Sequence, residues 1–281
     1  MVQPRPSRFR RALNRLINPY RLNDSVLYRL YLRLRHPQHL QQKQRERSFY
    51  ARLIAANGGG TVFDIGANCG QKAAQFCRCA QRVICVEPDP SAIAQLQARF
   101  GHRNDVVVVH GGVGAEAGEA TFYRLGPASP LNTFSREWSE AQSDAQTDAA
   151  TETAVAIVTL DQLIASHGLP SYIKIDVEGY ELQALQGLHQ PIRALSFECN
   201  LLQFRQQTLD CIALLAHLQP GLFNHCLSEP PGDFASDRWL TADEMAAIVA
   251  GADHDYAEIY FQASGISGAG TTPAAGTAPA D

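Results

Sequence analysis

Acidic residues beside glycines, at the ends of short β-branched segments, are the residues of this sequence best suited to chemistry. In TVFDIGANCG, Asp64 precedes Gly66, Asn68 and Gly70. Glycine tolerates positive φ and has no Cβ, so a strand followed by such a turn and a helix can bring its backbone close to a bound nucleotide. Glu87 lies about 20 residues past the turn, at the end of the next segment, where a carboxylate can accept hydrogen bonds from ribose hydroxyls. These residues predict a nucleotide-containing cofactor.

The charge of Asp64 distinguishes between two kinds of cofactor. A carboxylate at the end of the first strand would repel a pyrophosphate, whereas it suits a cationic amino-acid moiety. S-adenosylmethionine carries a sulfonium and an α-ammonium and no phosphate, so we predict that it is the cofactor. A nicotinamide-dependent Rossmann oxidoreductase is the first alternative, against which Asp64 and the lack of a third glycine at the start of the helix both count. The second alternative is a non-catalytic module that binds the cofactor weakly and is recruited through a basic N-terminus.

A second acidic group follows the later β-branched segments and is placed to assist methyl transfer, which needs an aligned acceptor and, for a hydroxyl, a base. The segment YIKIDVEG predicts a fourth strand that carries Asp176 and Glu178 on one side to the open edge of the sheet. Glu198 and His225 lie near the ends of the fifth and sixth strands, so all four residues are candidate catalytic groups.

Structural roles for these four residues are the alternatives. Asp176 could pair with Lys174, Glu178 could cap the following helix, and His225 could be a hydrogen-bonded residue of the core. The three carboxylates could also hold a divalent cation, since hard cations bind carboxylate oxygens. We predict no metal site.

From Thr61 to about residue 262, β-branched runs alternate with helical stretches, which is typical of a mostly parallel sheet covered by helices. The predicted strands are TVFDI, RVICVE, VVVVH, YIKIDV, ALSFEC, LFNHCL and YAEIYFQ. Residues 112–159 interrupt this alternation with a strand-like EATFYRL, a polar stretch and VAIVTL. We interpret them as a cover on the substrate side or a mobile lid, in which Asn132 and Thr133 are either ligand-binding or turn residues.

The two ends of the chain differ from the predicted domain, residues 57–262. Residues 1–56 predict a basic helical extension, and residues 263–281 a disordered tail. The arginine-rich face of the extension either contacts a membrane surface or a protein partner, or is the solvated face of a helix packed on the domain. No run reaches the roughly 20 apolar residues of a bilayer span, so we expect a cytoplasmic protein, with the inner face of the membrane as a contact for the extension.

The charge of the chain is distributed unevenly. The first 52 residues contain 13 of the 24 lysines and arginines, which leaves 11 basic and 26 acidic residues in the remainder. Binding of nucleic acid needs clustered cations that neutralise phosphates. The acidic domain therefore predicts no nucleic-acid partner.

Four segments together resemble the FkbM family of S-adenosylmethionine-dependent methyltransferases: VFDIGANCG, VICVEPDPSA, TLDQLIASHG and YIKIDVEGYELQALQG. The resemblance implies the class I methyltransferase fold, an α/β, Rossmann-like, mostly parallel sheet of seven strands with helices on both faces. It also implies methylation of a hydroxyl on a small-molecule or glycan acceptor, such as a sugar, glycan, glycolipid or secondary metabolite.

The same resemblance implies a role for each cofactor residue. The methionine end of the cofactor would contact four turn residues, namely Asp64, Gly66, Asn68 and Gly70. Glu87 would accept the ribose hydroxyls. Gly112 and Val113, after VVVVH, would lie beside the adenine, where backbone groups and an apolar side chain suit a flat ring.

Overall fold

A computed structural model describes residues 37–142 and 150–265 of the chain. The helices are α1 (Pro37–Ala56), α2 (Gln71–Phe76), α3 (Pro90–Phe100), α4 (Arg136–Gln142), α5 (Leu160–His167), α6 (Glu181–Gln186), α7 (Leu201–Leu218) and α8 (Ala242–Gly251). The strands are β1 (Thr61–Ile65), β2 (Arg82–Glu87), β3 (Val106–His110), β4 (Gly112–Val113), β5 (Gly118–Arg124), β6 (Thr151–Val158), β7 (Tyr172–Ile175), β8 (Ala194–Asn200), β9 (Gly221–Cys226) and β10 (Tyr256–Ala263). The predictions for residues 1–36, 143–149 and 266–281 lie outside the described residues.

Seven of these strands form one sheet in the order β3-β2-β1-β7-β8-β10-β9. Every neighbouring pair is parallel except those of β10, which runs antiparallel to both β8 and β9. The prediction of a seven-stranded, mostly parallel sheet is confirmed. Because the carboxyl ends of parallel strands meet at one edge, the acidic residues at the ends of β1, β2 and β8 come together there.

Helices cover both faces of the sheet, as predicted. On one face, α1, α2 and α3 pack through residues such as Tyr50, Phe76 and Leu96. The helices α5 to α8 cover the opposite face, where Leu185 and Ile212 are among the buried residues. Two capping boxes define helix starts there, since a threonine before α5 and another before α8 each accept a backbone N–H from the third helical residue.

The segment expected to be a lid forms a second sheet of three strands, in the order β4-β6-β5. A small apolar cluster of Phe122, Phe134 and Ile157 holds this lid sheet together. A β-bridge between Tyr123 and Thr133 folds the following loop back onto β5. Within the described residues, the lid is thus a packed unit attached to the main sheet through β4.

One strand is shorter than its sequence predicts. β7 ends at Ile175, so Asp176 and Glu178 are loop residues and do not alternate on a strand. Glu178 has φ 53° and Gly179 has φ 87°, left-handed conformations that no strand allows. The prediction that strand pleating aims both carboxylates to one side is therefore wrong, and a tight turn positions them.

The helix α1 packs on the main sheet. Phe49, Tyr50, Leu53 and Ile54 of its last two turns are buried, and Tyr50 contacts the rings of Phe76 and Tyr172 edge-on or tilted. The predicted boundary at residue 56 stays a prediction. No helix within residues 37–142 and 150–265 has the length and apolar character to cross a bilayer.

Replacing Tyr50 with alanine should lower the free energy of unfolding by about 3 kcal/mol, because the substitution leaves a cavity between α1 and the sheet. Tyr50→Phe is the matched control and should be nearly neutral, since the Tyr50 hydroxyl has no hydrogen-bond partner among the described residues. Urea denaturation of both variants measures the difference, and equal stabilities would show that α1 contributes nothing to the core.

Candidate active site

A cleft opens where β1, β2, β7 and β8 end, and the lid sheet with residues 129–134 forms another of its walls. All but two of the residues predicted for the site line this cleft. They are Asp64, Gly66, Asn68, Glu87, Gly112, Val113, Asp176, Glu178 and Glu198. Gly70 and His225 are the exceptions. The fold therefore brings together most of the predicted residues, while the individual role of each stays a prediction.

Asp64, at the base of the cleft, has an unused hydrogen-bond acceptor. Its side chain is only 1% exposed, and its Oδ2 has no partner among the described residues. Burial raises the pKa of Asp64 to about 6, and the nearby charge of Lys174 opposes that rise. The backbone N–H of Ala73 already stabilises this carboxylate, but a buried carboxylate oxygen without a donor is unfavourable until a donor arrives. The α-ammonium of S-adenosylmethionine is a donor of the required charge, so the residues present fit this cofactor.

Glu87 fixes the backbone of the turn and still faces the cleft. Its two carboxylate oxygens accept the backbone N–H groups of Asn68 and Asp89, each at 2.7 Å. Asn68 has φ 44°, which this hydrogen bond helps to hold. Each carboxylate oxygen keeps a second acceptor site, so Glu87 can both shape the turn and accept ribose hydroxyls. Burial raises the pKa of Glu87 to about 7, against the effect of the two N–H donors.

The two glycines of the turn differ in what they contact. A Cβ on Gly66 would lie 1.8 Å from the carbonyl oxygen of Asp176, so this glycine lets the ends of β1 and β7 approach. A Cβ on Gly70 would lie 2.5 Å from Phe100 and 2.7 Å from Leu96. Gly70 thus faces α3 behind the turn, and the prediction that it lines the cofactor site is corrected to a packing role.

Lys72, in the first turn of α2, is a cleft residue that the sequence analysis missed. Among the described residues that line the cleft, it carries the only basic side chain. Its Nζ lies 2.8 Å from Glu46 of α1 and 3.5 Å from Glu229. A carboxylate group of a ligand could pair with this ammonium. The lysine is visible directly after the glycine-rich turn, but its contact with α1 has no local signal.

Asp89 links the cofactor side of the cleft to the lid. Its carboxylate caps α3 by accepting the N–H of Ser91, and it also accepts from Arg124, Ala128 and Asn132. The amide of Asn132 donates to Asp89 at 2.8 Å and accepts two backbone N–H groups. Of the two interpretations of Asn132, this placement favours the turn residue.

Three carboxylates meet at the other end of the cleft. Asp176, Glu178 and Glu198 each place one carboxylate oxygen so that the three oxygens lie within 4.8 Å of one another. The buried Lys174 donates to Asp176 at 2.5 Å. Burial and the charge of Asp176 raise the pKa values of Glu178 and Glu198. Thr133 of the lid donates to the carbonyl oxygen of Glu178 at 2.6 Å and so holds this turn. The spacing of the three carboxylates also suits a divalent cation. Binding of such a cation stays an alternative to protonation of Glu178 and Glu198.

His225 is not close enough to take part. It lies on β9, the outer strand, and β10 separates β9 from β8. The ring lines neither the cleft nor the neighbouring pocket. Burial lowers the pKa of His225, as expected for a neutral core histidine. The structure therefore places His225 away from the cleft, which contradicts its prediction as a candidate base.

Gly112 and Val113 form β4 at the wall of the cleft. A Cβ on Gly112 would lie 2.5 Å from the ring of Phe134. With Val86, Pro88 and Phe134 also lining the cleft, this end is apolar. An apolar slot bordered by backbone groups suits a flat aromatic ring, which is the environment predicted for the adenine.

A sheet with one reversed strand and a cleft at the carboxyl ends of its strands define the class I methyltransferase fold. The buried Oδ2 of Asp64, which has no hydrogen-bond partner among the described residues, fits the ammonium of the cofactor of this class, S-adenosylmethionine. Residues 64–222 match the family model of the methyltransferase FkbM domain. This match includes more than half of the chain, and the chain belongs to the FkbM methyltransferase family. The family assignment agrees with the resemblance in the sequence and opposes the oxidoreductase alternative.

Individual relatives are distant. The hexuronic acid methyltransferase AglP of Haloferax volcanii is 25% identical over 148 residues, which are 52% of this chain and 56% of that protein. The chain thus spans little more than half the length of this relative. The solved FkbM methyltransferase of Methylobacillus flagellatus KT is 20% identical with a TM-score of 0.40, over 72% of this chain and 43% of that one. An O-methyltransferase of Bacillus cereus, solved with SAH, is 11% identical with a TM-score of 0.41, over 78% and 80%.

Replacing Asp64 with asparagine should weaken binding of S-adenosylmethionine by about tenfold or more, because a charge-assisted hydrogen bond to the ammonium becomes a neutral one. Isothermal calorimetry measures the affinity. Glu116→Gln is the control, since Glu116 is an exposed acid outside the cleft. Unchanged affinity in Asp64→Asn, with an unchanged melting temperature, would remove Asp64 from the cofactor site.

The pH dependence of cofactor binding should reveal Glu87. A ribose hydroxyl donates best to an ionised carboxylate, and with a pKa of about 7 the ionised fraction of Glu87 in the free protein rises with pH. The affinity should therefore increase about tenfold between pH 6 and pH 8. In Glu87→Gln the affinity should be lower and this rise largely lost. If the affinity of the variant rises by the same factor between pH 6 and pH 8, the pH dependence belongs to another group.

Proposed function

We propose that this protein transfers the methyl group of S-adenosylmethionine to a hydroxyl group of a sugar, within a glycan, a glycolipid or a glycosylated secondary metabolite. The observation that carries the proposal is the group of three carboxylates at the cofactor cleft, which lie within 4.8 Å of one another. A hydroxyl acceptor needs a base for its proton, and this group supplies one. The Haloferax relative is a hexuronic acid methyltransferase, and this relationship supports a sugar acceptor.

Cofactor and acceptor are held by different parts of the cleft. When bound, S-adenosylmethionine supplies a methyl group on a positively charged sulfur. The methyl group passes to the acceptor oxygen as its bond to sulfur breaks, and S-adenosylhomocysteine remains. Asp64 would hold the ammonium of this cofactor and Glu87 its ribose hydroxyls. The carboxylates of Glu178 and Glu198 border the cleft at the opposite end. Methyl transfer needs the oxygen, the methyl group and the sulfur nearly in line, and enzymes gain much of their rate by orienting reactants in this way.

The base is one of the two glutamates that crowd Asp176. Lys174 is paired with Asp176, and its charge only partly opposes the burial that raises the pKa values of Glu178 and Glu198. Their raised pKa values make them stronger bases than ordinary carboxylates once ionised. As the new C–O bond forms, the hydroxyl proton passes to an ionised glutamate. Turnover should accordingly rise with pH as the glutamate loses its proton.

The charge of the cleft also opposes a nucleic-acid acceptor. Six carboxyl groups line it, those of Asp64, Glu87, Asp176, Glu178, Glu198 and Glu229, against the single ammonium of Lys72 among the described residues. A phosphate backbone would be repelled by this wall. The contact proposed for the arginine-rich extension, with a membrane surface or a protein partner, concerns its residues 1–36, which lie outside those described.

The proposal is tested with methyl-labelled S-adenosylmethionine and glycan and glycolipid fractions of the source cells. Label should appear in O-methyl sugars after acid hydrolysis, together with S-adenosylhomocysteine. At least one of Glu178→Gln and Glu198→Gln should reduce kcat by about a hundredfold while the cofactor affinity is retained. His225→Gln is the control and should keep normal turnover. Absence of S-adenosylhomocysteine with every fraction, or full activity of both glutamine variants, would contradict the proposal.

A further inference from the structure

A second pocket adjoins the cofactor cleft and shares a wall with it. Asp176, Glu178 and Glu198 line both spaces. Trp138 of α4 and Tyr256 at the start of β10 complete the second space, which we call the acceptor pocket. Because the three carboxylates border both spaces, a molecule held in the acceptor pocket can present a hydroxyl to them from the side opposite the cofactor.

Two residues that line the acceptor pocket carry hydrogen-bond donors without partners among the described residues. The indole Nε1 of Trp138 and the hydroxyl of Tyr256 are both buried atoms, and neither has a hydrogen bond to any described residue. Trp138 as a whole is only 7% exposed. Buried polar groups in folded proteins are nearly always hydrogen-bonded. Two unused groups beside the carboxylates therefore point to a ligand that offers oxygen acceptors.

The same pocket has an aromatic side. Trp138 and Phe204 lie with ring centroids 5.8 Å apart and a tilt of 45°. Phe204 packs where a Cβ of Gly179 would lie, and its own backbone leaves helical geometry within α7. Apolar ring faces, with a few convergent polar groups, are typical of small-molecule sites. A pyranose combines an apolar C–H face with equatorial hydroxyls and so matches both sides of the pocket.

The charge of the lining limits which sugars fit. Five carboxyl groups line the acceptor pocket, those of Asp176, Glu178, Glu181, Glu198 and Asp255, and no lysine, arginine or histidine does so among the described residues. The nearby Lys174 is already paired with Asp176. A hexuronate would bring a further negative charge into this group without a counter-cation, whereas hydroxyls can both donate to the carboxylates and accept from Trp138 and Tyr256.

We propose that the acceptor pocket binds an uncharged, hydroxyl-bearing pyranose and discriminates against its hexuronic acid counterpart. Trp138 and Tyr256 donate hydrogen bonds to the sugar, Phe204 and Trp138 cover its apolar face, and the shared glutamates accept from the hydroxyl that receives the methyl group. This inference rests on the proposed function for the identity of the reacting group, and on the pocket alone for the class of sugar.

The fluorescence of Trp138 provides a direct test. The chain has two tryptophans, and Trp239 packs against Phe234 away from the pocket. In the Trp239→Phe protein, Trp138 is the only tryptophan. This protein is titrated at pH 8 with EDTA and S-adenosylhomocysteine present. The probes are the methyl glycosides of glucose, galactose, mannose and fucose, and those of glucuronic and galacturonic acid.

At least one neutral glycoside should give a saturable change in Trp138 emission, and its hexuronic acid counterpart should bind at least about tenfold more weakly. If the fucoside or the mannoside binds best, the comparison uses whichever of the glucoside and the galactoside binds more tightly, together with its own hexuronic acid. A hexuronate that binds as tightly as its neutral counterpart, or no saturable response to any neutral glycoside, would overturn the proposal.

Tyr256→Phe separates a ligand contact from a structural role. Removing the hydroxyl should weaken binding of the neutral glycoside at least fivefold, leave the affinity for S-adenosylhomocysteine unchanged and leave the melting temperature within a degree or so. Tyr123→Phe, on β5 and outside both spaces, is the matched control. Unchanged glycoside affinity in Tyr256→Phe would count against the pocket. Sugar binding without S-adenosylhomocysteine formation from S-adenosylmethionine would contradict the proposed function and leave the pocket assignment intact.

Discussion

A buried lysine makes the acidic edge of this sheet possible. Lys174 is in the middle of the sheet on β7, is 1% exposed and pairs with Asp176. Burial alone would lower the pKa of Lys174, but the carboxylates of Asp176, Glu258 and Glu198 outweigh it and raise this pKa well above its usual value. Without that cation, the carboxyl groups at the ends of β1, β7 and β8 would have no compensating charge within the sheet. Removing one partner of such a buried pair is strongly unfavourable, so the chemistry of the site and the stability of the sheet depend on the same ammonium.

Hydrogen bonds extend this arrangement across the strands. Glu258 on β10 accepts from Ser196 of β8 at 2.6 Å, and Ser196 in turn is 2.5 Å from the hydroxyl of Tyr172. These groups lie on the face covered by α1 to α3. The reversed strand β10 thus contributes to the site although its direction differs from that of the others: it supplies Glu258 beneath the site and Tyr256 beside it.

Much of the framework is predictable from the sequence, because it depends on local patterns. The first three strands of the main sheet follow β-branched runs and match their predicted bounds residue for residue. The nucleotide turn is recognisable because Asp64 and its glycines lie within ten residues, with Glu87 at the end of the next strand. The resemblance to a known family then related these residues to a cofactor.

The remainder depends on contacts between distant segments, for which a single sequence has no signal. Alternation along a strand could not reveal that β7 ends at Ile175 and that a left-handed Glu178 sets the turn. The distance of His225 from the cleft results from the insertion of β10 between β8 and β9. Trp138 and Tyr256 come from the lid and from the last strand, and neither lies in a recognisable motif.

The contact between Lys72 and Glu46 has a consequence for where the catalytic unit begins. Glu46 belongs to α1, ahead of every strand, yet it sets the orientation of the only ammonium that lines the cleft among the described residues. A chain trimmed to the start of β1 would retain all of the strands and all of the residues that match the family. It would nevertheless release Lys72 toward Glu229, uncover the ring of Tyr172 and change the electrostatic field that an incoming cofactor meets. Sequence matching therefore delimits a smaller unit than the one that forms the cofactor cleft.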